Sequence, residues 1–184
     1  MSAFTLYTAS TAPEKSRPTL VMLEEKFGFL PNVMATMAAN PVLLNGFAGS
    51  FASFHGGSLD ECEKQILLLT NAVSLNCPWT VAAHSTFALE DGVAAGDVEA
   101  IRLGNLPRDV KYAALSALAK SLMHNRGHIA ETEIDSFVAA GYSREQVLEV
   151  IVSLGISTMA ATTTNLAQTP IEQRFQAQLW SASL

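Results

Sequence analysis

Cys77, Thr80 and His84 stand at spacings of three and four residues in the run Cys77-Pro78-Trp79-Thr80-Val81-Ala82-Ala83-His84, which puts all three on one stripe of a helix. Pro78 suits the first helical position, so Cys77 reads as the N-cap of a helix that opens there. A thiol at a helix entrance meets unpaired backbone N–H groups and the positive end of the macrodipole, and both favour thiolate. His84 returns to within about 20° of the Cys77 face, roughly 10 Å further along the axis. The two are therefore expected to communicate through an intermediary, with Thr80 between them. An imidazole in this register suits proton transfer for a thiol. The same spacing also suits a small buried cysteine and a hydrogen-bonded core histidine.

Other candidate groups carry less chemistry. On a helix from Leu59 to Leu75, Cys62 falls on the apolar face. It would lie about 20 Å from Cys77, far beyond the ~7 Å Cα separation of a disulfide. His124, His128 and Glu131 have metal-like spacing, but Gly127 is expected to end the helix between the histidines and split their face. His124 and His55 read instead as cations near helix C-termini. Trp79 suits either helix packing or the wall of a pocket beside Cys77. No phosphate-binding glycine loop, nucleotide fingerprint or Gly-x-Ser-x-Gly elbow is present. No cofactor and no metal are expected.

Apolar residues recur at helical spacing along nearly the whole chain, which predicts an all-α fold. Ser16 is expected to cap a first helix ending at Gly28, Asn32 to start a short one, and Asn40-Pro41 to open a third that stops at Gly56-Gly57. Ser58-x-x-Glu61 reads as a capping box for the helix over 59–75. That helix and the next, from Pro78 to about Gly92, would form a hairpin with the thiol at its bend. Asp97 is expected to cap a helix to Leu103, Pro107 to open one before Gly127, and a shorter helix to end at Gly141. Ser143-x-x-Gln146 reads as a second capping box, and Thr169-Pro170 as the start of a last helix.

With 184 residues and no linker, the chain is expected to form one domain over 1–184, with residues 1–13 either disordered or an arm crossing to a neighbour. Charged residues are only 15%, against about 25% in typical domains, so part of the apolar surface is expected to meet other subunits. A formal charge of −6 without clustered Lys and Arg argues against nucleic acid as a partner. Nothing reads as a secretory signal, and the charge-free stretch from Val150 to Ile171 is rich in Ser, Thr, Asn and Gln, which argues against a membrane span. A cytoplasmic location follows as the expectation.

The chain resembles the alkylhydroperoxidase D / carboxymuconolactone decarboxylase superfamily over roughly residues 20 to 175. Besides the Cys77 run, the resemblance rests on Phe27-Gly28-Phe29-Leu30-Pro31-Asn32, Asn40-Pro41, Ala139-Ala140-Gly141-Tyr142-Ser143 and Thr169-Pro170, which look like landmarks of its peroxidase-related branch. Redox members carry Cys-x-x-Cys-x-x-x-His with a Glu twelve residues before the first Cys. Cys77 and His84 match; Thr80 stands where the second Cys would be and Gln65 where the Glu would be. The resemblance implies a compact helix bundle that assembles as a homo-oligomer, commonly a trimer or hexamer.

In redox relatives the second Cys meets the peroxide, the first resolves it, and Glu and His relay protons. A threonine hydroxyl cannot attack an O–O bond as thiolate does, and Gln65 can orient a water but cannot take its proton. Glu61 lies one turn from Gln65, where capping is its expected use. The expectation is thus a peroxidase-related antioxidant protein acting on hydroperoxides through the single thiol of Cys77, reduced again by an external thiol, with His84 as proton partner. Two alternatives stay open. One is a cofactor-free carboxymuconolactone decarboxylase-like lyase using His84 on a lactone; the other is a non-catalytic oligomeric binding protein with a degenerate site.

Overall fold

The computed structural model describes residues 4–182. Among them are nine α-helices and no strand: α1 Arg17–Phe27, α2 Asn32–Met37, α3 Pro41–His55, α4 Glu61–Ser74, α5 Pro78–Glu90, α6 Ala95–Arg102, α7 Val110–His124, α8 Glu131–Ala139 and α9 Gln146–Ala167, with 3-10 turns at Glu14–Ser16 and Gln173–Gln178. The all-α expectation holds. α4 is the central element. Residues 63–72 are all buried, and α5, α6, α7 and α9 pack around it. α9 is long and apolar enough to cross a bilayer by length and composition, but its polar stripe turns inward: Asn71 on α4 donates to Ser153 and Ser157 at 3.1 and 3.2 Å. It is a core helix.

Several helix starts differ from expectation, each because the side chain in question has a better partner. Asp60, not Ser58, caps α4: its Oδ1 accepts from Glu63 N at 2.8 Å while Glu63 Oε2 accepts from Asp60 N at 3.0 Å, a complete capping box two residues later than predicted. Ser58 instead donates to Glu149 on α9 at 2.7 Å. Ser16 makes no side-chain cap; its hydroxyl is buried and donates to Ala38 O at 2.9 Å. Asp97 falls in the first turn of α6 behind an Ala94 N-cap, and accepts from Arg108 N at 2.6 Å. α7 opens after Asp109, whose Oδ1 accepts from Tyr112 N at 2.9 Å, rather than at Pro107. The Ser143–Gln146 reciprocal bonds form, at 2.8 and 3.3 Å, but α9 opens only at Gln146, behind Glu145, which makes no side-chain cap.

No α-helix opens at Thr169-Pro170. The chain leaves α9 through Gln168, in left-handed conformation, runs extended to Glu172 and makes the short 3-10 turn at Gln173–Gln178. Aromatic packing fixes this path: Phe175 is fully buried and meets Trp79, Phe87 and Phe29 edge-on at 5.4 to 6.2 Å between ring centroids. Of the arm expected at 1–13, residues 1–3 lie outside the described residues. The remainder lies against its own chain, with Tyr7 N donating to Ala35 O at 3.1 Å and Ala12 buried.

Candidate functional site

The α4–α5 turn is built as the sequence suggests. Asn76 takes the left-handed conformation (φ 48°), which Asn tolerates better than most residues, and Cys77 then serves as N-cap with Pro78 at N1. From there α5 carries Cys77, Thr80 and His84 along one face. Thr80 Oγ1 donates to Cys77 Sγ at 2.5 Å. On its other side Sγ lies 3.0 Å from Thr164 Oγ1 of α9. The Thr164 hydroxyl donates to Ala160 O at 3.0 Å, so it receives the Cys77 S–H. The sulfur therefore has a donor and an acceptor, and Cys77 has no exposed surface.

Cys77 and His84 make no bond to each other. His84 Nδ1 lies 3.0 Å from Gln65 Oε1, and Gln65 Nε2 donates to Asp91 Oδ2 at 3.1 Å. This chain fixes a tautomer. A carboxylate only accepts, so the Gln65 amide nitrogen must face Asp91 and its oxygen must face His84, which puts the imidazole proton on Nδ1 and leaves Nε2 as a lone-pair acceptor. Burial, reinforced by the charge of His55, pulls the His84 pKa down to about 3. His84 is therefore neutral across the physiological range.

Thr80, His84 and Gln65 all line one cavity of about 240 Å³. Its walls are aromatic: Phe27, Phe47, Phe51, Trp79, Phe87 and Phe175 all contribute. His55, Glu61 and Asp91 join the polar part, and no Lys or Arg is among the described lining residues. Glu61 pairs with Lys64 at 2.8 Å and His55 Nδ1 at 3.5 Å, so it is a cavity residue and not the cap its position suggested. Cys77 is not part of the wall; Thr80 stands between it and the cavity. Cys62 is apart from the site, half-buried, with Sγ donating to Asp91 O at 3.2 Å.

Three cavity contributors lie outside the expected site. His55 ends α3, as expected, but its position at the cavity depends on how α3 packs. Asp91 lies just past α5 and Phe175 beyond α9. Neither belongs to a local pattern with Cys77. α7 ends at His124, before Gly127, so His124 and His128 do not share a helix face.

The chain is similar in structure to an uncharacterized peroxidase-related protein with an alkylhydroperoxidase AhpD core from Ralstonia eutropha JMP134 (TM-score 0.82, 16% identity, 95% of this chain and 94% of that one). It is also similar to an uncharacterized peroxidase-related protein from Silicibacter sp. TM1040 (TM-score 0.77, 18% identity, 96% and 95% covered). A third similar structure is the debrominase Bmp8 (TM-score 0.76, 22% identity, 97% and 96% covered), whose C82A variant has been seen in complex with 2,3,4-tribromopyrrole. No family model and no curated protein matches the sequence.

Proposed function

We propose that this chain, which has the alkylhydroperoxidase D-like fold, is a cytoplasmic protein that binds neutral, largely apolar small molecules bearing a hydrogen-bond donor, organic hydroperoxides among them, and reduces those slowly through Cys77. The carrying observation is the cavity itself: aromatic walls, with a neutral His84 whose Nδ1 is committed to Gln65. An apolar body is favoured by the rings, and an O–H or N–H by Nε2. Tribromopyrrole, on the similar fold of Bmp8, has this character. Anionic ligands fit poorly, because no Lys or Arg is among the described lining residues to meet their charge, and Lys64 nearby is already paired with Glu61. That argues against the lactone decarboxylase reading, whose substrate carries carboxylate.

For a hydroperoxide the redox step balances at one sulfur. Cys77 Sγ attacks the terminal peroxide oxygen as thiolate, its proton having passed to solvent; the O–O bond breaks, the alkoxide leaves and takes a proton back from solvent to become the alcohol, and Cys77 becomes a sulfenic acid. An external dithiol returns it to thiol, releasing water and forming the dithiol's own disulfide. Thr80 must swing aside for the attack, which makes the step slow.

Binding of cumene hydroperoxide, followed by calorimetry, and its turnover with dithiothreitol test the reading together. Binding with slow turnover that vanishes in Cys77→Ser is expected. Thr80→Cys should raise turnover by at least about tenfold, since it puts a thiol on the cavity wall three residues from Cys77, where the two sulfurs can approach disulfide distance. Failure to bind would overturn the reading, and so would turnover indifferent to Cys77→Ser. The full burial of Cys77 favours a second reading, a binding protein without redox chemistry. Binding without any Cys77-dependent turnover would select it.

A further inference from the structure

His84 meets the cavity with one ring nitrogen spent and one free. Nδ1 lies 3.0 Å from Gln65 Oε1. Nε2 has no hydrogen-bond partner among the described residues and is not one of the sealed, unpartnered atoms, so it is open to the cavity that His84 lines. The ring is neutral, its pKa pulled down to about 3 chiefly by burial, which leaves the tautomer as the variable. Gln65 by itself would support either one, because its amide turned over offers Nδ1 a donor in place of an acceptor. Asp91 removes that freedom. As C-cap of α5 it sets Oδ2 3.1 Å from Gln65 Nε2, and a carboxylate accepts without donating. Its backbone is held on both sides, Asp91 N donating to Phe87 O at 2.8 Å and Asp91 O accepting from Cys62 Sγ at 3.2 Å. Glu61, the other carboxylate on the cavity, is taken up by Lys64 and His55 and does not compete for the Gln65 amide.

Building on the small-molecule site just described, we propose that Asp91 sets the polarity of the ligand: acting through Gln65, it holds His84 as the Nδ1–H tautomer, so that Nε2 takes hydrogen-bond donors and rejects molecules that bring only acceptors. An ether or a ketone sets a lone pair against the Nε2 lone pair, whereas a phenol, alcohol or hydroperoxide of similar shape donates to it. Asp91 is thus a positioning residue, and its effect does not depend on touching the ligand. In Asp91→Asn the new amide offers Gln65 either an acceptor or a donor. Both orientations of the Gln65 amide are then satisfied, and both His84 tautomers with them.

Two measurements on the full chain test this. Nitrogen NMR at neutral pH separates a protonated ring nitrogen of His84 from a bare one. The wild type should carry its proton on Nδ1, Asp91→Asn should show a mixture of tautomers, and Asp91→Glu, which returns a group that only accepts, should restore the wild-type pattern. A purely structural role for Asp91 would leave the tautomer unmoved. Calorimetric titration with para-cresol and with its methyl ether then reads the consequence for binding. The wild type should prefer the phenol by about tenfold or more, and Asp91→Asn by about threefold or less. The extra methyl group is the same for both proteins, so the change in the ratio reports the hydrogen bond. An Nδ1–H tautomer that persists in Asp91→Asn, or a phenol preference unchanged there, overturns the inference and leaves the small-molecule reading standing. If neither compound binds the wild type, the small-molecule reading falls and the ligand rule falls with it, whatever the spectra show.

Discussion

His84 gives the site its most direct pH signature. Its folded pKa of about 3 lies below the ordinary histidine value near 6.5, so between these limits the unfolded chain binds a proton that the folded chain refuses. The resulting stability is fully present above pH ~6.5 and is lost as pH falls toward 3. His55 adds in the same direction: burial holds its pKa down, opposed by Glu61 and helped by Lys26 and Lys64. Denaturant unfolding should therefore show stability declining already between about pH 6.5 and 5, at up to about 1.4 kcal/mol per pH unit from His84. In His84→Gln that slope should fall by about that amount. An unchanged slope would mean that His84 is charged in the folded protein. The Cys77–Thr80–His84 stripe was legible because it is local, three residues on two turns of one helix. What those residues touch was not, since Thr164, Asp91 and His55 arrive from other elements.

Among the elements, α4 shows why helix existence was readable and helix register was not. Its apolar periodicity runs through Ile66, Leu69 and Val73 whichever residue caps it. Two acidic or hydroxylic residues, Ser58 and Asp60, each have a Glu three positions later, so the sequence offered two capping boxes. The choice is tertiary. Glu149 of α9 occupies Ser58, and Lys111 of α7 pairs with Glu63 at 2.6 Å. Asp60→Ala should thus cost about 1 kcal/mol in chemical denaturation, and Ser58→Ala should leave the α4 start in place. The absent C-terminal helix has a similar cause: Phe175 is far in sequence from Trp79 and Phe87 of α5, and its packing on them overrides the helix-start pattern at Thr169-Pro170.

Across the whole molecule, the low charge content becomes a visible stripe. Leu148, Ile151 and Leu166 are 64%, 50% and 69% exposed, and at 100° per residue Leu148 and Leu166, eighteen positions apart, fall on the same side of α9. Sedimentation at micromolar concentration should show a species larger than 19.6 kDa, and Leu148→Glu with Leu166→Lys should return it to the single-chain mass. The C-terminal turn has a different consequence. Phe175 walls the cavity from beyond α9, and its neighbours tie it down: Glu172 accepts from Asn32 N and Trp79 Nε1 at 2.6 and 2.9 Å, while Arg174 pairs with Glu90 at 3.3 Å over the rings of Phe29, Phe87 and Phe175. A molecule behind such a wall departs at the rate the wall lifts. The Arg174–Glu90 pair is half exposed, so added salt weakens it. Residence time should shorten with ionic strength even for an uncharged guest, and stopped-flow release from Arg174→Ala should already run at the high-salt rate.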